Sequence, residues 1–303
     1  MEWIDKMNDA LNYIEDHLLE ETDYKAIAAQ AGCSSYNFQR MFSFITDIPL
    51  AEYIRRRRLT LAGTELSDMS KTILDIAVKY GYDSSSSFSR AFRAMHGINP
   101  SEARQDGAAL KAFPRISFNI SIKGDREMTY RIEKKEAFDV FGIEAVCSFS
   151  DENAMTPGKL WAESHKNGEY ERLFTNSGEL PPYVADTLCK IHGVSNYRKT
   201  GDNTFVYMLC SFVSADSKTE GYNIAHIPAQ TYAIFPSELF DWDADFGKVM
   251  DDLQKKFYSE WLPTSIYEQV DGPSFEIYGG TAEKGYIELW YPIRKKIGKN
   301  LRI

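Results

Sequence analysis

The chain has 303 residues, 43% of them hydrophobic and 14% aromatic, so it is long enough for two domains with apolar cores. This composition excludes a largely disordered chain, and no stretch of the sequence is apolar for long enough to span a membrane, which predicts a cytoplasmic protein without a membrane partner. The net charge of -9 excludes a uniformly basic surface, so any binding of nucleic acid must depend on local charge.

Charge is distributed unevenly along the chain. Residues 1–23 hold eight acidic residues against one lysine, whereas residues 24–104 hold eleven basic residues against seven acidic ones, including the run Arg55–Arg58. This basic segment is what phosphate binding needs, although a solvated helix face gives the same pattern. The cysteines and histidines are scattered, without CxxC, HxxxH or HExxH spacing, so we expect no disulfide framework, no metal site and no cofactor.

An internal repeat organises the first hundred residues. Ile27–Gly32 aligns with Ile76–Gly81, and the pattern Phe-x-Arg-x-Phe at 38–42 returns at 88–92. Each copy predicts a short helix, a turn at the glycine and a second helix, and small alanines on the first helix allow a close crossing. The two copies therefore predict two helix-turn-helix motifs.

The second helix of each motif is expected to point its phenylalanines inward and to keep a polar face outside. In a major groove an amide pairs with adenine and a guanidinium with guanine, whereas serines reach less far, so we expect Arg90 to dominate in the second motif. The candidate DNA-reading residues are Tyr36, Gln39, Arg40 and Ser43 in the first motif, and Ser85, Ser86, Ser89 and Arg90 in the second.

Residues 50–66 keep helical apolar spacing through the arginine run and predict a rigid connecting helix. Arg56 and Arg57 are candidate phosphate contacts, although at least one of the four arginines must point back to the protein. Two recognition helices on one rigid chain would enter successive major grooves about 34–36 Å apart.

The segments AAQAGCSSYNFQRMFSFITDIPLAEYIRRRRLTLA and DIAVKYGYDSSSSFSRAFRAMHGINPSEAR resemble the AraC/XylS family of transcription regulators over residues 5–107. The resemblance implies a bacterial, sequence-specific DNA-binding regulator with double-stranded DNA as its partner and RNA polymerase as a candidate further partner. In that family the residues that face DNA stand at the places of Tyr36, Gln39, Arg40, Ser85, Ser86 and Arg90.

Beyond a first domain at 1–107 and a linker at 108–125, the pattern predicts a second domain at 126–303. A fainter repeat at an offset of 92 residues, which matches Tyr130-x-Ile132 with Tyr222-x-Ile224, suggests two βαββ-like halves with a cleft at their seam. The fold class is therefore multidomain, all-α and then α+β. Strands are predicted at 128–132, 137–149, 204–213, 222–227, 231–235, 275–278 and 286–291, and helices at 158–174 and 243–261.

The segments MTYRIEKKEAFDVFGIEAV, YNIAHIPAQTYAIFP and FEIYGGTAEKGYIELWYPIRKK resemble the GyrI-like (SOUL-related) ligand-binding domain over residues 126–298. The order of the two domains is similar to that of the right-origin-binding protein subgroup. The resemblance implies a small-molecule effector, and an acid at the place of Glu288 faces the ligand in multidrug-sensing members of that family.

Glu288 shares one strand face with two large aromatic residues, where a carboxylate would attract a lipophilic cation. We therefore expect the effector to be a small apolar or cationic compound. Core packing of the aromatics and an ordinary surface or paired acid are the alternatives. The candidate ligand-binding residues are Glu288, Trp290, Tyr278, Trp161, Tyr170 and Tyr207.

Two other functions stay open for the second domain. It could hydrolyse a small molecule with Glu288 as general base, or serve as a platform that binds a protein. No Ser-His-Asp or Cys-His arrangement is legible in the sequence, so we expect a protein that is not an enzyme and has no catalytic residues.

Overall fold

A computed structural model describes residues 2–119, 128–149, 153–181, 189–243 and 245–296. They divide into unit 1, which takes Met1–Ser35 and Ile48–Ser121, and unit 2, which takes Tyr36–Asp47 and Ile122–Ile303. The predicted boundary at residue 107 does not foresee that residues 36–47 group with the second unit. No helix in these described ranges is long and apolar enough to cross a membrane.

The first hundred residues are helical, and their helices begin at recognisable caps. The carboxylate of Asp23 accepts hydrogen bonds from the backbone N–H groups of Lys25 and Ala26, and Thr72 forms a capping box with Asp75. The helices are α1 (Glu2–Asp16), α2 (Tyr24–Gln30), α3 (Ser35–Thr46), α4 (Leu50–Glu65), α5 (Ile73–Lys79), α6 (Ser85–His96) and α7 (Pro100–Ala103).

The predicted linker at 108–125 is ordered in its described part. Residues 108–119 have no regular structure, yet they are tied to the helices of unit 1. The backbone N–H of Lys111 donates to Nδ1 of His96 at 3.2 Å, and that of Phe118 donates to the Asn8 side chain at 2.9 Å. These bonds satisfy the backbone as a helix or strand would. Residues 120–125 of the predicted linker lie outside the described residues.

Unit 2 holds an antiparallel sheet of ten strands in its described part. The strands are β1 (Arg131–Lys135), β2 (Phe138–Ser148), β3 (His192–Ser195), β4 (Thr204–Phe212), β5 (Asn223–Ile227), β6 (Gln230–Pro236), β7 (Phe240–Asp241), β8 (Tyr267–Gln269), β9 (Ser274–Gly280) and β10 (Lys284–Lys295). The helices are α8 (Pro157–Asn167), α9 (Glu169–Asn176), α10 (Phe246–Lys255) and α11 (Leu262–Thr264), with a π-helical turn at Lys256–Trp261 between the last two.

The strand order is β1-β6-β10-β9-β3-β4-β2-β5, with β7 and β8 added beside β10. Each strand of the path has a counterpart in the other half of the sheet. When the order is reversed and each strand is replaced by its counterpart, the same order results, so the sheet has pseudo-twofold topology. β1 and β5 are exchanged between the halves, and β3 and β9 pair at the seam. The predicted α and then α+β architecture is confirmed.

Both faces of the sheet are covered, as β4 shows. Phe205, Tyr207 and Leu209 belong to one buried cluster, whereas Met208 and Cys210, which alternate with them, belong to another. A strand buried on both faces carries an almost continuous apolar sequence, which is why β4 was predicted within one residue.

Three strands and one helix break were not predicted. Gly168 adopts a φ of +79°, which ends α8 and separates it from α9 where one helix was expected at 158–174. β3 has only four residues, two of them His192 and Gly193, and it exists because β4 and β9 pair with it on both sides. β7 and β8 have two and three residues.

Candidate ligand cavity and DNA-reading helices

A cavity of about 510 Å³ lies over the seam of the sheet in unit 2. Strands from both halves contribute to it, with Tyr207 from β4, Glu276 and Tyr278 from β9 and Tyr286 from β10. Helical segments supply further aromatic and apolar walls, among them Trp161, Tyr170, Phe246 and Met250. The volume is in the range of cavities that take drug-sized ligands.

Glu276 is the acid of this cavity, and two tyrosines hold its carboxylate. Tyr207 Oη donates to Glu276 Oε2 at 2.7 Å, and Tyr278 Oη donates to the same oxygen at 2.8 Å. The indole N–H of Trp161 donates to Tyr207 Oη at 3.0 Å. Burial, and then the Glu276 carboxylate, raise the pKa of Tyr207 and of Tyr278 well above the usual value, so both hydroxyls stay protonated donors.

Gly193 makes room for this arrangement. It pairs directly with Glu276 across the seam, and a Cβ at this position would lie 2.8 Å from Glu276 Oε2 and closer still to Tyr207 Oη. A side chain here would therefore push apart the two groups that the hydrogen bond joins. The Glu276 oxygen not held by the tyrosines is available in a largely aromatic chamber, which is suited to a lipophilic cation.

Four of the six residues predicted to bind ligand line the cavity, namely Trp161, Tyr170, Tyr207 and Tyr278. Glu288 does not line it. Both terminal nitrogens of Arg131 donate to its carboxylate at 2.8 Å, and the Trp290 indole N–H donates to it at 3.0 Å. Trp290 packs in the buried cluster of the other sheet face. The expectation that Glu288 faces an aromatic pocket is thus corrected, because this acid is the partner of Arg131.

The missed acid carried a signal of its own. In the segment FEIYGG, Glu276 and Tyr278 are two residues apart and share a strand face, which is the same pattern of an acid beside an aromatic that drew attention to Glu288. What the sequence does not reveal is that Arg131 on β1 reaches Glu288, since β1 is separated from β10 by β6 in the sheet.

The helix predicted to be the second recognition helix, α6, exposes its polar face to solvent. Ser85, Ser86 and Arg90 are exposed and Ser89 is half-buried, whereas Phe88 and Phe92 are fully buried. Ser84 caps the helix by accepting a hydrogen bond from the Ser87 N–H at 3.2 Å.

The first recognition helix, α3, differs from α6. Tyr36 and Gln39 are buried and Arg40 and Ser43 are partly buried. Tyr36 Oη forms a hydrogen bond of 2.7 Å with Ser195 Oγ, and the Gln39 amide donates to the carbonyl of Asp202 at 2.9 Å. In this conformation Tyr36 and Gln39, two of the four residues that the sequence predicts to face DNA from this helix, are shielded from solvent.

The arginines of α4 do not all point outward. Arg57 donates to both oxygens of Glu15 at 2.8–3.1 Å and to the carbonyl of Phe113 at 2.6 Å, so its predicted role as a phosphate contact is corrected. Burial is the largest single effect and raises the pKa of Glu15. The hydrogen bonds from Arg57 and Tyr53, together with the charges of Arg57 and Arg115, lower the pKa, and the net shift is downward. Arg56 is half-buried, with its guanidinium 4.7 Å from the centre of the Phe113 ring.

Two family models match the chain. Residues 131–293 match the integron-associated effector binding protein model, Cass2, and residues 27–106 match a helix-turn-helix domain model. The first match covers more than half of the chain and contains the whole cavity described above.

Relatives are similar to the N-terminal part. The HTH-type transcriptional activator AarP of Providencia stuartii is 40% identical over 95 residues, which cover 31% of this chain and 70% of AarP. The right origin-binding protein of Escherichia coli is 36% identical over 99 residues, 33% of this chain and 34% of that protein. A solved structure of SAV2435 bound to tetraphenylphosphonium is 18% identical, with a TM-score of 0.42 over 55% of this chain and 94% of SAV2435.

Proposed function

Because the chain belongs to the AraC-type helix-turn-helix transcription regulators and carries an effector-binding domain of the Cass2 family, we propose that α6 reads base edges and that the cavity binds a lipophilic cation which modulates DNA binding. The observation that carries the DNA-reading part is the exposed face of α6. A helix whose serines and arginine are free on one side and whose phenylalanines anchor the other is equipped to enter a major groove.

The effector part rests on the cavity acid. Glu276 lies among aromatic side chains in a space of about 510 Å³, and the tyrosines that bond to it keep its carboxylate oriented. A cation with an apolar body gains ion pairing with this acid and cation–π contacts of about 0.5–2 kcal/mol with the rings. An anionic ligand would meet the carboxylate without a compensating cation among the described lining residues.

RNA polymerase is a further partner in this proposal. Leu74 and Val78 lie one turn apart on α5 and are 50% and 60% exposed, so they form an exposed apolar patch in unit 1, which also contains the exposed helix α6. An exposed apolar patch on a DNA-reading unit is suited to contact with a protein that is bound at the same promoter.

The DNA-reading part is tested by selecting bound sequences from a random duplex pool with the full chain at about 0.1 M salt. We expect an enriched motif, and Arg90→Ala is expected to weaken binding to it by about 5- to 150-fold, because a bidentate pair with a base contributes about 1–3 kcal/mol. Lys166→Ala, which removes an equal charge from an exposed position at the end of α8, is the matched control and should stay within about twofold.

The same motif serves to test the effector. Tetraphenylphosphonium is a suitable probe, since it is a lipophilic cation and SAV2435 binds it. We expect it to alter the fluorescence of Trp161 and to change the affinity of the full chain for the selected duplex. A saturating concentration that changes neither would refute the effector part, and an affinity of Arg90→Ala equal to that of the parent protein would refute the DNA-reading part.

A further inference from the structure

The face of α3 that corresponds to the DNA-reading face of α6 is occupied by contacts inside unit 2. Gln39 is 1% exposed and its amide donates to the Asp202 carbonyl. Tyr36 is 7% exposed and belongs to the same buried cluster as Tyr207. A base edge cannot reach an amide that is 1% exposed and held by a protein carbonyl, so Gln39 cannot pair with a base in this conformation.

The contacts follow α3 from its first turn to its end. Asn37 donates to the carbonyl of Val270 at 3.2 Å, Phe44 stacks on Tyr258 with ring centres 5.7 Å apart, and just beyond the helix Asp47 forms an ion pair of 2.9 Å with Lys255. Both polar and apolar contacts therefore occur along the helix. Such a mixture fixes both the rotation and the position of α3 within unit 2.

Arg40 is held in the same way. Its guanidinium lies 5.6 Å from the centre of the Tyr36 ring and 5.3 Å from that of the Phe44 ring. Burial lowers the pKa of Arg40, whereas neighbouring oxygens, among them those of Tyr36 and of Glu276, raise it, and the net shift is upward. The side chain thus stays charged between two rings, whereas Arg90, its counterpart in the repeat, is exposed.

From this asymmetry we propose that unit 2 withholds α3 from DNA, so that in this conformation the protein reads sequence through α6 alone and gains a second half-site only when α3 leaves unit 2. The inference rests on the proposed function of α6 as a DNA reader. It makes the bipartite site of a two-motif regulator conditional on an intramolecular contact.

The cavity offers a physical route for an effector to act on this contact. Tyr207 lines the cavity and also packs in the cluster that contains Tyr36, and Ser195, which bonds to Tyr36, pairs with Tyr207 across β3 and β4. The Glu276 carboxylate lines the cavity, and the attraction of its charge for Arg40 is one of the causes that raise the pKa of Arg40. A cation bound at Glu276 competes for that attraction and loosens α3.

The test is a release variant that leaves α3 itself unchanged. Lys255→Glu replaces the partner of Asp47 by a like charge at a site that is 45% exposed, and Ser195→Ala removes the hydrogen bond to Tyr36. The matched control is the single variant Lys248→Glu, in which Ser195 is unchanged. It makes the same charge change at an exposed position on the same helix as Lys255. Equal net charge matters because DNA affinity depends on it.

Selection from a random duplex pool is run with the parent protein, the control and the release variant, all as full chains. We expect one conserved block from the parent and the control, and two blocks about 10–10.5 base pairs apart from the release variant. Adding Arg40→Ala to the release variant is expected to remove the second block. On a duplex that carries both blocks, the release variant should bind about tenfold more tightly than the control, with no difference on a duplex carrying one.

Hydrogen exchange of the peptide covering residues 36–46 provides an independent readout, and we expect it to be slow in the parent and faster in the release variant. Two blocks from the parent protein, or one block from the release variant, would overturn the inference and leave the proposed function intact. No enriched block from any of the three proteins would overturn the proposed function and this inference with it.

Discussion

The orientation of the Glu276 carboxylate is fixed by its neighbours. Two tyrosine hydroxyls point at one of its oxygens, and Gly193 leaves the space in which they meet. We expect Glu276→Gln to weaken binding of the phosphonium probe by about tenfold or more, because the charge is lost while the size is kept. The measurement is a titration followed by the fluorescence of Trp161, which lines the cavity.

Glu288→Gln is the control, and it should leave the affinity for the probe within about twofold. Its expected effect is on stability instead, since Arg131 loses a charged partner that it holds with two hydrogen bonds. If Glu288→Gln weakened binding as much as Glu276→Gln, the assignment of the cavity acid would be wrong.

At this scale the sequence predicted residue types better than partners. The aromatic residues Trp161, Tyr170, Tyr207 and Tyr278 were proposed as walls of the pocket that the resemblance to the GyrI-like family implies, and they line the cavity. The choice between two acids on adjacent strands depended on what lies across the sheet. Local periodicity does not reveal a neighbour such as Arg131, which is 157 residues away from Glu288 in the chain.

Among the elements, α4 carries a run of arginines whose side chains have different roles. Arg57 is turned towards Glu15 on α1, with 12% of its side chain exposed. We expect Arg57→Ala to lower the free energy of unfolding of unit 1 by about 2 kcal/mol, because Glu15 keeps its charge in a half-buried place without its bidentate partner. Thermal unfolding followed by far-ultraviolet circular dichroism measures this loss.

The control for Arg57 is Arg55→Ala, which removes an exposed arginine two residues earlier on the same helix and should cost about 0.5 kcal/mol or less. For Arg57→Ala the slope of log K against log salt should stay within about 0.3 of the parent value, whereas a lost phosphate contact lowers it by about 0.9. A drop of the latter size would restore Arg57 as a DNA contact.

Elements were predictable where local chemistry alone sets them. The helix-turn-helix helices follow from caps, glycines and apolar stripes, and β4 follows from its continuous apolar sequence. β3 could not be predicted, because its four residues become a strand only through pairing with β4 and β9. The place of α3 in unit 2 could not be predicted for the same reason, because it also depends on contacts with distant parts of the chain. The polar face of α3 is compatible with DNA reading and equally with burial against another part of the protein.

At the scale of the whole molecule, unit 2 is built around a seam that contains a buried histidine. His192 on β3 is fully buried, and its Nδ1 accepts the backbone N–H of Tyr278, which fixes the neutral tautomer with the proton on Nε2. Burial lowers the pKa of His192 to about 3. Four of the five tryptophans, Trp161, Trp242, Trp261 and Trp290, belong to unit 2, so fluorescence reports mainly on its unfolding.

This histidine makes the stability of unit 2 sensitive to acid. Unfolded His192 takes up a proton below a pKa of about 6.5, whereas the folded residue does so only near 3, so between these values the unfolded state binds more protons and stability falls as pH falls. The contribution is about 1.4 kcal/mol for each pH unit. We expect His192→Gln, whose side-chain oxygen accepts the Tyr278 N–H at every pH, to make urea unfolding followed by tryptophan fluorescence less dependent on pH between about 6 and 4. His226→Gln, at an exposed position, should keep the slope of the parent. An unchanged slope in His192→Gln would mean that His192 takes up a proton in the folded protein as readily as in the unfolded one. The conclusion that this histidine is neutral at the centre of unit 2 would then be wrong.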